Sequence, residues 1–180
     1  MKFRVFIIAI QFSCSSILFA QESKPFDLFG NLGFSWPDQP SAFANDWKMG
    51  FNLGAGFGYR WIPDVNLFAQ LDFNSFLVDQ AVSNVVSNLQ LLTLTANVKF
   101  DLLTILKETT PYITLGAGYS RQWGPGQSKG AFPVLVGLGL NMGTSPNSAV
   151  FIDGKYGMCI QSGDDLNFFA LRIGTRWNFN

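Results

Sequence analysis

Residues 48–61 read Lys-Met-Gly-Phe-Asn-Leu-Gly-Ala-Gly-Phe-Gly-Tyr-Arg-Trp. Met49, Phe51, Leu53, Ala55, Phe57, Tyr59 and Trp61 alternate with Lys48, Gly50, Asn52, Gly54, Gly56, Gly58 and Arg60. Successive side chains of a β-strand point to opposite faces, so this period of two predicts a strand with one apolar and one polar side. The segment outruns a globular strand, which averages about five or six residues. It matches the roughly 9–11 residues that a tilted strand needs to cross a bilayer.

The same alternation recurs on both sides of it. Strands are predicted over Phe26–Trp36, Val65–Phe76, Gln90–Asp101, Tyr112–Gln122, Ala131–Met142, Ala149–Ile160 and Asn167–Phe179. In the last of these, Phe169, Leu171, Ile173, Trp177 and Phe179 oppose Ala170, Arg172, Gly174, Arg176 and Asn178. With residues 48–61 this makes eight strands, an even number as single-chain bacterial barrels have. The expected fold is all-β: an eight-stranded antiparallel up-and-down transmembrane β-barrel.

Composition points the same way. Of the 180 residues, 48% are hydrophobic, 16% aromatic and only 13% charged. A soluble domain carries about 25% charged residues. Yet residues 21–180 hold no run of about 18 apolar residues, so no helix is expected to span a membrane. Bases and acids number 12 each, and removing Lys2 and Arg4 with a leader leaves ten bases against twelve acids. That balance excludes nucleic acid as a partner, since its binding needs clustered basic residues.

Residues 1–20, Met-Lys-Phe-Arg-Val-Phe-Ile-Ile-Ala-Ile-Gln-Phe-Ser-Cys-Ser-Ser-Ile-Leu-Phe-Ala, have a basic start, an apolar middle and a small residue, Ala20, before Gln21. This is the pattern of a secretory signal peptide. The domain reading is therefore 1–20 signal peptide and 21–180 barrel. Cys14 lies in the leader, which leaves Cys159 alone and unable to form an internal disulfide.

Periodicity does not say which face points outward. Two features do. The polar faces are mostly Gly, Ser, Thr and Asn, which suit a narrow lumen filled by side chains rather than a surface facing water. Aromatic residues gather near the ends of the apolar faces: Trp36, Tyr59, Trp61, Tyr119, Trp177 and Phe179. Indole and phenol rings favour the headgroup region, so these residues are expected to form the two aromatic girdles.

Pro111-Tyr-Ile-Thr-Leu-Gly-Ala-Gly-Tyr119, Leu53-Gly-Ala-Gly-Phe-Gly-Tyr59 and the closing strand Phe169–Phe179 resemble outer-membrane barrels of the OmpA/OmpX-like superfamily. The resemblance extends over Gln21–Asn180 and is one of pattern, nearest to members that consist of the barrel only. It implies residence in the bacterial outer membrane, outer-membrane lipid as surroundings, and insertion by the barrel-assembly machinery. The family's assembly signal ends on an aromatic residue, whereas here Phe179 is followed by Asn180. The resemblance also implies a periplasmic N-terminus. The outer loops would then be residues 37–47, 77–89, 123–130 and 161–166, and the inner turns 62–64, 102–110 and 143–148.

The polar constellation lies in the expected lumen. Asp153, Lys155 and Arg172 are expected at mid-height, and Asp27, Arg60, Lys99, Asp101 and Arg176 toward the periplasmic end. Lys48 and Asp72 are expected higher. Buried charges must pair, so Asp153 is expected to contact Lys155 or Arg172. Phe29, Phe68, Phe76, Phe151 and Phe168 also point inward and would obstruct a pore.

The chain has no histidine. The hydrolases and acyltransferases among barrels of this size generally use one as base, so no enzyme is expected. No metal or cofactor site is expected either, and Gly54-Ala-Gly-Phe-Gly58 lacks the spacing of a dinucleotide loop. The leading functional reading is a structural or surface-interaction barrel whose loops contact an extracellular ligand or protein. A narrow channel for small or apolar solutes is the alternative, and a soluble lipocalin-like ligand-binding barrel comes third.

Overall fold

The structure, a computed structural model, describes residues 25–79, 87–102, 109–124, 127–145 and 147–179. The elements are β1 (Phe26–Gln39), α1 (Ser41–Asp46), β2 (Trp47–Ile62), β3 (Val65–Val78), β4 (Leu89–Asp101), β5 (Thr109–Gly124), β6 (Gln127–Ser145), β7 (Ser148–Ile160) and β8 (Leu166–Phe179). Each strand pairs antiparallel with the next, and β8 pairs with β1, so the sheet closes into a barrel.

The register sets the barrel's shape. Tracing paired residues from Asp27 leads through Gly58, Phe68, Asn97, Gly116, Leu135, Gly157 and Phe168 to Pro37. The circuit returns to β1 from residue 27 to residue 37, a stagger of 10 residues. Over eight strands that stagger tilts each strand by about 40° from the barrel axis. A ring of this size has an interior just wide enough to be packed with side chains.

Apolar side chains cover the outside. Leu138 is 64% exposed, Leu32 61% and Leu53 57%, while Asp153, Lys155 and Arg172 are at most 4% exposed. A barrel in water would reverse this, so the exterior is built for hydrocarbon. Tyr59, Trp61, Trp177 and Phe179 face outward at the end that carries the β2–β3 and β6–β7 turns. Phe26 stacks among them, with ring centroids 5.7 Å from Phe57 and 6.1 Å from Phe179. Tyr119 and Trp36 face outward at the opposite end, where Trp36 lies 5.8 Å from Phe169. We call these the turn end and the loop end.

Several strands outrun their alternating segments. β5 and β6 stay paired to Gly124↔Gln127, so the expected loop 123–130 is a hairpin whose tip, 125–126, lies outside the described residues. Gly, Ser, Gln and Lys at these strand ends carry no alternation, which is why the sequence shortens them. The expected loop 37–47 contains α1, with Phe43 buried at 2% exposure. Pairing shifts between Lys48 and Phe51. Across from it, Asn74, Ser75 and Phe76 are buried in succession. A bulge inserts an extra residue and flips the faces beyond it. The leader, residues 80–86 of the 77–89 loop and residues 103–108 of the 102–110 turn lie outside the described residues.

Outward placement makes charge costly on this face. Leu138→Arg should lower stability by about 2–4 kcal/mol if it lies near the bilayer midplane. Urea unfolding of the chain folded in lipid vesicles measures this.

Candidate functional site

The lumen is stacked in layers. At the turn end Arg176 Nε lies 3.9 Å from Asp27 Oδ1, and Asn66 Nδ2 donates to Asp27 Oδ2. Nearby, Lys99 Nζ donates to both Asp101 oxygens at 2.8 and 3.0 Å and sits 5.2 Å from the Tyr112 ring centre. Above comes a belt of inward rings: Phe29 meets Phe68 edge-on at 5.3 Å and Phe151 at 6.2 Å. The Arg176 guanidinium faces Phe29 at 5.3 Å and Phe151 at 5.8 Å, so the belt contacts the cation as well.

These rings occupy space that two glycines leave free. A Cβ on Gly56 would stand 2.2 Å from the Phe29 ring, and one on Gly174 would stand 2.4 Å from the Phe151 ring. Such distances are far inside van der Waals contact, so the glycines are what admit the rings.

The central layer is a four-charge network. Arg172 donates to both oxygens of Asp153, Nε at 2.8 Å and NH2 at 2.7 Å, in the bidentate geometry that makes Arg–carboxylate pairs strong. Its NH1 reaches Asp72 Oδ1 at 3.2 Å. Tyr112 OH donates to Asp153 at 3.1 Å and Gln70 Nε2 to Asp72 at 2.9 Å. Lys155 Nζ donates to Gln70 Oε1 at 2.8 Å and faces the Phe68 ring at 5.6 Å. Asp72 and Asp153 thus share Arg172, while Lys155 joins through Gln70.

Next comes a neutral polar layer. Ser35 Oγ and Asn52 Nδ2 both donate to Asn74 Oδ1, at 2.7 and 2.9 Å, and Thr93 and Ser120 hydroxyls lie 2.9 Å apart. The loop end is closed by an apolar plug of Phe43, Phe76, Leu89, Leu91, Leu135 and Phe168, with Trp47 against it. Phe76 contacts Phe43 edge-on at 5.0 Å and Phe168 at 5.9 Å. Lumen space lined by Asn52, Asp72, Asn74, Thr93, Leu135, Lys155 and Arg172 amounts to about 10 Å³. That is roughly the volume of one water centre. The roomier hollows, such as the one of about 450 Å³ between Leu32, Leu53, Val150 and Ile173, are dents in the outer wall.

The sequence-predicted charges divide as follows. Asp27, Asp72, Lys99, Asp153, Lys155, Arg172 and Arg176 are buried in the lumen. Asp72, expected higher, lies instead in the central network. Asp101 is half-buried and held by Lys99, and Arg60 is half-buried with no ion pair among the described residues. Lys48 is a correction. Its side chain is 61% exposed at the loop rim and pairs with Asp79 at 2.8 Å, because the bulge after it turns it out of the barrel. Phe43 and the glycine seats of Phe29 and Phe151 were missed. The recurring glycines on the polar faces carried the signal for the seats.

No family model matches the chain, and no curated protein matches it in sequence. Among solved structures it is similar to Neisserial surface protein A, with a TM-score of 0.68 and 17% identity over 86% of this chain and 97% of that one. It is also similar to the outer membrane protein OprG of Pseudomonas aeruginosa, with a TM-score of 0.62 and 10% identity over 88% and 98% of the two chains. Ail, the attachment invasion locus protein of Yersinia pestis, follows with a TM-score of 0.50 and 19% identity over 86% and 100%. The chain thus shares the eight-stranded barrel fold of these proteins. Its apolar wall and closed sheet are those of a transmembrane barrel.

Breaking the central pair should be expensive, because Arg172 would keep its charge with only Asp72 beside it. Asp153→Ala should destabilise the barrel by about 3–5 kcal/mol, and adding Arg172→Met should recover part of the loss. A double-mutant cycle by urea unfolding in vesicles measures both.

Proposed function

We propose that this chain is an integral outer-membrane protein with a structural or surface-interaction role. Its barrel is closed, and its contacts are made by the loop end, which faces outside the cell. Residues 1–20 direct export, and the barrel-assembly machinery inserts the chain by its last strand, where Phe179 faces outward opposite Phe26. The protein carries out no catalysis. The chain has no histidine, and its buried lumen carboxylates face cations: Asp153 and Asp72 serve Arg172, and Asp27 lies opposite Arg176.

The observation that carries this reading is the filled lumen. The phenylalanine belt, the charge network and the plug under α1 lie in series, with about 10 Å³ of space within the network. A hydrated ion needs a continuous water-filled path, and none fits through such a stack. The charges act as a structural plug. The loop-end connections, including α1 and the long β5–β6 hairpin, are the parts left to meet a partner.

Membrane fractionation should place the mature chain with the outer membrane. The folded protein should also migrate differently on a gel before and after boiling. In planar bilayers it should pass no steady current. A steady current that Arg172→Met or Asp153→Asn alters would overturn the closed-lumen reading and favour a channel.

A further inference from the structure

Charge is unevenly divided around the loop end. Asp38 lies at the end of β1, Asp46 at the end of α1, Asp79 just after β3, and Asp164 and Asp165 in the β7–β8 connection. Lys48 accompanies them and pairs with Asp79. The β5–β6 hairpin instead carries Arg121 and Lys129 and no acid. Between Gln80 and Gly130 the sequence has only two acids, Asp101 and Glu108, and both belong to β4 or the β4–β5 connection at the turn end. Among the described residues Arg121 forms no ion pair.

We propose that the outward face of the β5–β6 hairpin, formed by Tyr119, Arg121, Trp123 and Ser128, binds the anionic phosphate of a lipid headgroup in the leaflet at the loop end. Tyr119, Arg121 and Trp123 occupy alternate positions of β5, so all three project from one face, the face that lower down carries Leu115. Tyr119 is 59% exposed. The patch continues the apolar wall upward to the height where aromatic rings mark the interface.

An arginine at that height, turned sideways to the bilayer, stands among lipid headgroups. No described carboxylate pairs with it, and the anions at that level are lipid phosphates. Its geometry is prepared for one. Arg121 Nε donates to Ser128 Oγ at 2.9 Å, and the guanidinium carbon lies 6.0 Å from the Trp123 ring centre. These contacts orient the fork and leave its terminal nitrogens for two phosphate oxygens. Gly130, the residue paired with Arg121, has no side chain. The Tyr119 hydroxyl lies 2.9 Å from where its Cβ would stand, which brings a phenolic donor up to the Arg121–Gly130 pair on the same face. A water-borne partner would approach the hairpin tip, whereas these groups face the membrane plane.

The inference rests on the membrane reading above, and its test separates the two. The full chain, folded in detergent, is incubated with equal amounts of phosphatidic acid and phosphatidylcholine, and retained lipid is counted by native mass spectrometry. The expected result is a preference for phosphatidic acid of about fivefold, the effect of one cation at an anionic surface. Arg121→Gln should abolish the preference, Arg121→Lys should keep part of it, and Lys129→Gln should leave it intact. The gel shift on boiling shows that each variant is folded. If Arg121→Gln fails to fold, Ser128→Ala and Trp123→Leu must each reduce the preference.

Equal retention of both lipids by the native chain would overturn the proposal. So would a preference that survives Arg121→Gln in a folded barrel, or one lost equally in Lys129→Gln. Displacement of the lipid by inorganic phosphate at matching concentration would make this a free-anion site and overturn the lipid assignment. Failure of the membrane reading looks different: a native chain that stays dissolved without detergent and shows no gel shift on boiling.

Discussion

The hydrogen bonds between β1 and β8 are the constraint on which the rest depends. Hydrocarbon offers no partner to a free N–H or C=O, so a sheet in a bilayer must have no edge. Closing eight strands with a stagger of ten residues fixes the tilt and the radius, and the radius fixes how much lumen must be filled. The outside then has to be apolar and the inside polar, the reverse of a barrel in water. The residue pattern along each strand follows from that single requirement.

Filling the lumen is a different problem from lining it. Eight strands leave too little room for free water and too much for glycine and serine alone. This chain resolves it with rings and ions in alternating layers. Where Phe29 and Phe151 cross the lumen, Gly56 and Gly174 stand on the neighbouring strands, so each large residue is matched by a missing one. Where charge enters, it enters balanced: Arg172 is shared by Asp153 and Asp72, and Lys99 is held by Asp101. Buried ion pairs add little net stability compared with apolar packing, yet they punish any arrangement that separates them. The network therefore acts mainly by penalising a slipped register, since a shift of one residue would carry Asp153 and Arg172 to the lipid side.

This explains which parts were legible in the sequence. Alternation is a direct record of the bilayer, so the eight strands and their outward faces could be read from residues such as those of 48–61. The central pair could be expected because Asp153 and Arg172 share a face on adjacent strands. What failed depends on departures from alternation. A bulge after Lys48 reverses the faces, and no local signal marks it, so Lys48 was expected inside and lies at the rim. α1 is six residues long and contributes one buried ring, too little to show a helical period. Phe29 interrupts a polar face in the sequence, and only three-dimensional packing shows it to be half of a pair with Gly56.

The loop end obeys neither rule, and that is where individuality resides. Below it, every side chain answers to hydrocarbon or to the packed lumen, and proteins with 10% identity share the fold for that reason. Above the girdle those demands end. The placement of five aspartates around one side and Arg121 with Lys129 on the other is then not dictated by barrel closure. Three of the acids are tied into local contacts, Asp38 accepting from Tyr156 at 2.7 Å, Asp165 from the Gln161 amide at 3.1 Å and Asp79 pairing with Lys48. Arg121 has only a serine and a ring. A charge that the fold neither requires nor neutralises is best accounted for by something outside the chain, and the direction it faces is the membrane.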